Sequence, residues 1–345
     1  VGRDDTGTNT ATATDALVTR ERVRSFDGTE LEVQTTARNG PDILLVNGLG
    51  GSIAAWRHLY RHFVPAFRIV SFDYRGLYGS GAPADPAAVR VEDHLADLER
   101  VVQATEARRA VVLAWSMGVQ VAVEYAVARP AAVAGLVLVC GAPGDPFAGV
   151  FRTTVSRWAV PAACRVIEAF PRCFGAATRP LLTAKAAPAL LQRARIVSGA
   201  TDLDVFSDMS DRFSRLDWRT YFRTMRAMAD HDAWPRLNEI TAPTLCIGGT
   251  RDLFTPPEVA KQTAEAVQHG EAEVIDGASH YAPVEYPDLV NERIERFLVE
   301  RVDGRWGRSA LALEGPQPSN EKPGRGQHPR GERRTRGGRH VVEAL

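Results

Sequence analysis

Residues 110–126 read AVVLAWSMGVQVAVEYA. The apolar run Ala110-Val111-Val112-Leu113 predicts a buried strand, and Val119 to Ala126 predicts an apolar helix. Between them Ala114-Trp115-Ser116-Met117-Gly118 has to turn the chain sharply, the setting of a nucleophile elbow. So tight a turn admits only small side chains near the serine, and Ala114 and Gly118 are small. The Ser116 hydroxyl would stand above the strand end, beside the amino end of the next helix, where free N–H groups and the helix dipole favour negative charge. Taken alone, Ser116 could equally be a helix N-cap.

Outward from this stretch, strand-like and helix-like patterns alternate, as in a mostly parallel sheet with helices on both faces. Glu21 to Phe26 and Glu30 to Thr36, joined at Asp27-Gly28, predict an opening hairpin. Core strands are expected at Ile43–Val46, Phe67–Phe72, Ala110–Leu113, Gly135–Val139, Thr244–Ile247 and Ala272–Ile275. Helices are expected at Ser52–Phe63, Val91–Thr105, Met117–Ala128, Pro257–Val267 and Pro287–Val302. The rhythm breaks between Asp145 and Trp234, where helical periodicity carries Trp158, Phe170, Leu181, Phe206, Trp218 and other large apolar residues. That segment is expected to be a helical insertion over the carboxyl ends of the strands, where open α/β sheets bind ligands. Most of its apolar residues should be core, with a minority lining a pocket.

A serine hydroxyl needs a base to take its proton and a third group to orient that base. Asp252 follows the strand Pro243 to Ile247 through Gly248-Gly249-Thr250-Arg251, with Pro256-Pro257 opening the next helix. Asp145 is the reserve acid. His280 stands at the tip of the small-residue turn Gly277-Ala278-Ser279 after the last strand, in the order Ser, Asp, His. Asn47-Gly48-Leu49-Gly50-Gly51 lies between a strand and a helix, so its backbone can approach a ligand closely. The N–H groups of Leu49 and Met117 are the expected oxyanion donors. A phosphate-binding turn is the weaker alternative, because there is no GxGxxG and no Lys-Ser/Thr pair.

With these motifs in order, the chain from about Arg20 to Glu300 resembles the α/β-hydrolase fold superfamily, the serine esterases and lipases with a helical cap. Asp73-Tyr74-Arg75-Gly76 with Ser80, and Glu285 and Pro287 after His280, add to the likeness. The resemblance implies a mostly parallel eight-stranded sheet flanked by helices, with a core of residues 19–144 and 235–302. It also implies a cap at 145–234 that sets substrate choice, and the catalytic residues Ser116, Asp252 and His280. It implies no cofactor and a small-molecule ester substrate, cleaved through an acyl-enzyme. An acyltransferase, a cofactor-free perhydrolase or a C–C bond hydrolase would share these motifs, and a non-catalytic receptor-like protein would share the fold. Three departures stand out: Ala114 for the first elbow Gly, Asn47 where His usually precedes the Gly, and Tyr78 where Gly is common. The last two bear on the shape of the pocket wall.

Lys and Arg number 42 and so do Asp and Glu, so net charge is zero and points to neither nucleic acid nor an anionic membrane. No run approaches the roughly 20 apolar residues of a membrane span. Val1 to Ala16 lacks a secretory pattern, residues 1–18 are expected to be a disordered N-terminal segment, and a cytoplasmic protein is expected. Cys140 and Cys246 read as buried strand thiols, and no pairing of Cys164 with Cys173 is required. His58 and His62 have metal-ligand spacing but lack the Glu of a zinc protease, so no metal is expected. His94, His231 and His269 read as surface residues. Residues 303–345, rich in Arg, Gly and Pro, are expected to be a disordered tail, with no aromatic after Trp306 on which nucleic-acid bases could stack.

Overall fold

A computed structural model of the chain describes residues 18–37, 40–147, 155–184, 187–194 and 196–302. The expected N-terminal segment (save Val18), residues 148–154 of the expected insertion and the expected tail 303–345 lie outside the described residues.

The hairpin strands are β1 (Thr19–Arg24) and β2 (Glu30–Thr35), antiparallel to each other. The remaining strands are β3 (Asp42–Val46), β4 (Arg68–Phe72), β5 (Ala110–Trp115), β6 (Val133–Val139), β7 (Thr244–Gly249) and β8 (Gly270–Ile275). They lie in one eight-stranded sheet of order β1-β2-β4-β3-β5-β6-β7-β8. From β4 to β8 all neighbours are parallel, and β2 joins β4 antiparallel. Each strand falls within a couple of residues of its expected span.

Strands β4, β5 and β6 are buried along their whole length, which is why they read as unbroken apolar runs rather than alternating ones. Leu44, Val46, Val112 and Ala114 face α2 (Val91–Thr105), α3 (Gly118–Ala128) and α9 (Pro257–Ala266). Ile43, Leu45, Val111 and Leu113 face α1 (Arg57–Phe63) and α11 (Pro287–Arg301). The expected helix from Ser52 opens as a 3-10 turn, Ile53–Trp56, before α1 begins.

His94 departs from its surface reading. It lies on the inner side of α2, buried, with its ring 4.7 Å from that of Tyr74. Burial first, and then the nearby Arg75 guanidinium, lowers its pKa to about 3, so it stays neutral. Arg75 is itself wholly buried and clasps Asp97 through Nε and a terminal nitrogen at 2.7 and 2.5 Å, with Asp27 at 2.9 Å. The clasp ties the β1–β2 turn to α2.

Between β6 and β7 the described residues form five α-helices: α4 (Ser156–Ala169), α5 (Pro171–Thr183), α6 (Ala187–Arg193), α7 (Leu203–Phe213) and α8 (Trp218–Ala229). Asp202 and Asp217 cap α7 and α8 with their side chains. The two ends of the insertion meet: Ala233 N–H donates to the Pro143 carbonyl at 3.1 Å. The buried Gln120 of α3 donates to the carbonyls of Gly144 and Met228 at 2.9 and 3.0 Å. Phe206, Trp218, Tyr221 and Met228 are core, as expected. Trp158, Phe170, Leu181 and Leu190 are not; they stand in solvent on α4, α5 and α6. All four cysteines are free thiols, with Cys140, Cys164 and Cys246 buried and Cys173 exposed.

Candidate active site

Strand β5 ends in Ser116, which takes φ +55, a left-handed conformation rare for a residue with a side chain. The collar around it leaves no room for bulk. A Cβ at Gly118 would lie 2.2 Å from the Val46 carbonyl oxygen, and one at Gly141 would lie 2.4 Å from the Ser116 carbonyl oxygen. Ala114 fits in the buried sheet where glycine is commoner. Helix α3 makes no use of the serine as a cap: its N-cap is Met117, with no side-chain hydrogen bond.

The Ser116 hydroxyl lies 2.9 Å from His280 Nε2 instead, and His280 Nδ1 lies 2.9 Å from Asp252 Oδ2. Asp252 follows β7 and is buried; its carboxylate also accepts from Phe254 N–H, Thr255 N–H and the Thr255 hydroxyl at 2.8–2.9 Å. Burial alone would raise its pKa. The facing His280 and these donors outweigh burial and hold it below the ordinary carboxylate value. An ionised Asp252 fixes the proton on Nδ1 and turns the Nε2 lone pair to the serine, a tautomer inferred from the hydrogen-bond network. Asp145 serves a local turn, accepting from Phe147 N–H at 2.9 Å.

His280 follows β8 through a turn at Gly277, whose φ is +78. Its carbonyl accepts from the Trp115 indole at 2.9 Å, and the Phe254 ring stands 5.0 Å away. Helix α10 (Ala282–Glu285) supplies Glu285, a buried carboxylate that the family likeness marks after His280 without giving its partners. It accepts from Ser279 N–H at 2.7 Å and the Ser279 hydroxyl at 2.6 Å. It also accepts from Ser198 N–H, in the insertion, at 2.6 Å.

The loop after β3 approaches the serine, with Gly48 close enough that a Cβ there would lie 3.1 Å from that of Ser116. Asn47 does not line the pocket. Its amide donates to Phe72 O at 2.7 Å and accepts from the Trp56 indole at 2.9 Å, anchoring the loop from behind. Tyr78 has φ +48, which explains the preference for glycine there, and its hydroxyl donates to the Gly50 carbonyl. For the N–H groups of Leu49 and Met117 no backbone acceptor is found among the described residues.

Above Ser116 lies a cavity of about 200 Å³, walled by Leu182, Leu191, Ile196, Phe206, Met209 and Phe213. No Asp, Glu, Lys or Arg lines it among the described residues. A larger cleft of about 670 Å³ beside α8 is lined by Arg223, Arg226, Asp230 and Glu92 and excludes Ser116. His58 and His62 contact Asp202 and Glu295 at 2.9 and 3.2 Å, and no metal-binding group forms among the described residues. No helix among them is long and apolar enough to cross a membrane.

The chain is 25% identical over 290 residues to the 2-hydroxy-6-oxononadienedioate/2-hydroxy-6-oxononatrienedioate hydrolase of Paraburkholderia xenovorans LB400, covering 80% of this chain and 93% of that one. Its fold matches a thermophilic esterase from Thermogutta terrifontis with a TM-score of 0.65 at 19% identity, over 83% of this chain and all (100%) of that one. It matches the enol-lactonase from Burkholderia xenovorans LB400 with a TM-score of 0.65 at 24% identity, over 81% and 100%. Residues 43–293 match the alpha/beta hydrolase family, and the chain belongs to that family.

Proposed function

We propose that this α/β hydrolase cleaves a carboxylic ester of an apolar small molecule through an acyl-enzyme on Ser116. The observation that carries the reading is the continuous relay from Ser116 Oγ to His280 Nε2 and from Nδ1 to Asp252, 2.9 Å at each step. Ser116 attacks the acyl carbon while His280 accepts its proton, and Asp252 steadies the imidazolium. The N–H groups of Leu49 and Met117 receive the developing oxyanion. His280 then protonates the leaving alcohol, and in the second half it activates the water that releases the acid. The helices between β6 and β7 act as the cap, lending the pocket Leu182, Leu191 and Phe213.

The uncharged lining favours a neutral acyl group. The name of the 25%-identical relative describes a dicarboxylate substrate. Among the described residues no arginine or lysine lines the cavity to pair with a second carboxylate, which favours ester cleavage over that C–C bond hydrolysis. An ester panel of graded acyl length, run on wild type and Ser116→Ala, tests the reading. Wild type should prefer short to medium neutral acyl groups, and the variant should lose about six orders of magnitude in rate. Activity that survives the substitution overturns the assignment.

A further inference from the structure

Helices α4, α5 and α6 hold large apolar side chains in water. Trp158 is 67% exposed, Val166 61%, Phe170 63%, Leu181 67% and Leu190 59%. On α4, positions 158, 162 and 166 fall four apart, so Trp158 and Val166 share one stripe with Ala162, and Phe170 caps the end of the helix. The opposite side of α4 packs on α8. The three helices are consecutive, α4 touching α5 and α5 touching α6. Leu182 and Leu191, one residue on from the exposed Leu181 and Leu190, face the substrate cavity.

The same stretch of sequence is strongly basic. Over 151–197 the sequence carries eight Arg and Lys against a single acid, Glu168, in a chain balanced at 42 to 42. Arg165, Arg172, Arg179 and Arg193 are exposed. Glu168 is already taken by Arg226 at 3.0 Å and Arg223 at 3.6 Å from α8. Exposed apolar side chains on so basic a stretch of helices suit a partner that is anionic at its surface and apolar just beneath.

We propose that the outer face of α4–α6 docks on an anionic lipid bilayer. Trp158, Phe170, Leu181 and Leu190 enter the headgroup–acyl boundary while the four arginines meet lipid phosphates. Other occupants fit the charge less well. A second copy on a two-fold axis would set this arginine-rich face against itself. The segment 303–345 carries nine Arg and Lys against five acids, so it too would be repelled. Single-stranded RNA would use the arginines and the two rings but gains nothing from Val166, Leu181 and Leu190. Docked this way, the cavity would lie one helix away from the bilayer, within reach of an apolar ester dissolved in it. The docking does not depend on the ester-hydrolase reading, because membrane binding is measured without turnover.

The full-length protein should co-sediment with vesicles of equal phosphatidylglycerol and phosphatidylcholine, and only weakly with pure phosphatidylcholine. Each arginine near an anionic surface is worth about 1 kcal/mol, roughly fivefold in partition, so replacing all four by Gln should cost at least 100-fold. Trp158→Ser with Phe170→Ser should cost at least tenfold while circular dichroism and melting temperature stay as in wild type. Added salt should weaken wild-type binding. Five results would overturn the proposal, the first three being no binding to either vesicle, binding unaffected by both variants, and binding lost on truncation at 303 but kept in the Trp158/Phe170 variant. The fourth is a wild-type dimer that Trp158→Ser with Phe170→Ser converts to monomer without any vesicle binding. Tight binding of single-stranded RNA, insensitive to Leu181→Ser with Leu190→Ser, would likewise assign the face to a polyanion instead.

Discussion

The conformation of Ser116 permits a sharp test that does not depend on any substrate. Its φ of +55 puts Cβ against the neighbouring carbonyl, at a cost of about 1–2 kcal/mol for an L-residue. Ser116→Ala and Ser116→Gly both remove the hydroxyl and its hydrogen bond to His280, so they differ only in Cβ. Glycine escapes the left-handed penalty but has more backbone freedom to lose on folding, about 0.5–1 kcal/mol relative to alanine. The balance should leave Ser116→Gly more stable than Ser116→Ala by about 0.5–1 kcal/mol, the reverse of the order at an ordinary helical or strand position. In a domain of this size that is about 2 °C in melting temperature. Paired urea titrations and thermal scans at one pH would measure it, with both variants equally inactive on esters. A glycine variant as stable as the alanine variant, or less so, would refute the claim that the elbow is held against its backbone preference.

Tyr78→Phe removes the hydrogen bond to Gly50 and should lower kcat/KM about 2- to 10-fold with little loss of stability, read by steady-state kinetics beside a melt. Glu285→Gln turns one acceptor oxygen into a donor facing a donor, so it should destabilise by about 1–3 kcal/mol and lower kcat more than it alters KM. Asp73→Asn should stabilise the protein at neutral pH. Burial, the largest influence, raises the Asp73 pKa to about 6, so between pH 4 and 6 the folded state binds more protons than the unfolded one and stability falls as pH rises. The variant should match wild type near pH 3.5 and exceed it by roughly 3 kcal/mol at pH 7.5, as measured by chemical denaturation across that range.

The sheet was legible because parallel strands covered on both faces leave unbroken runs such as Ile43–Val46 and Val133–Val139. Ser116, Asp252 and His280 could be singled out because each follows the carboxyl end of a strand and small residues precede or flank it. The buried His94 left a readable signal that was passed over: with Val91, Leu98 and Val101 it keeps the three-and-four spacing of the inner stripe of α2. Glu285 stands out in the sequence only through the family likeness after His280, and its link to Ser198, 87 residues away, is made only by the fold. The exposed rows on α4–α6 mark a limit of periodicity, which says that a helix has an apolar side without saying what lies opposite it.

The stitch at the base of the insertion has a consequence for how such a molecule can change. Ala233 N–H closes on Pro143 O, and Gln120 grips both strands of the neck, so the chain leaves and rejoins the sheet at nearly one point. Whatever length or composition runs between those knots leaves the pairing of Leu136 with Thr244 and Val139 with Ile247 undisturbed. Residues 145–232 are therefore an exchangeable cassette. Under the proposed cap role, ligand preference can be redrawn by exchanging those helices while the strands keep their register, provided the replacement keeps a donor to Glu285 where Ser198 N–H stands.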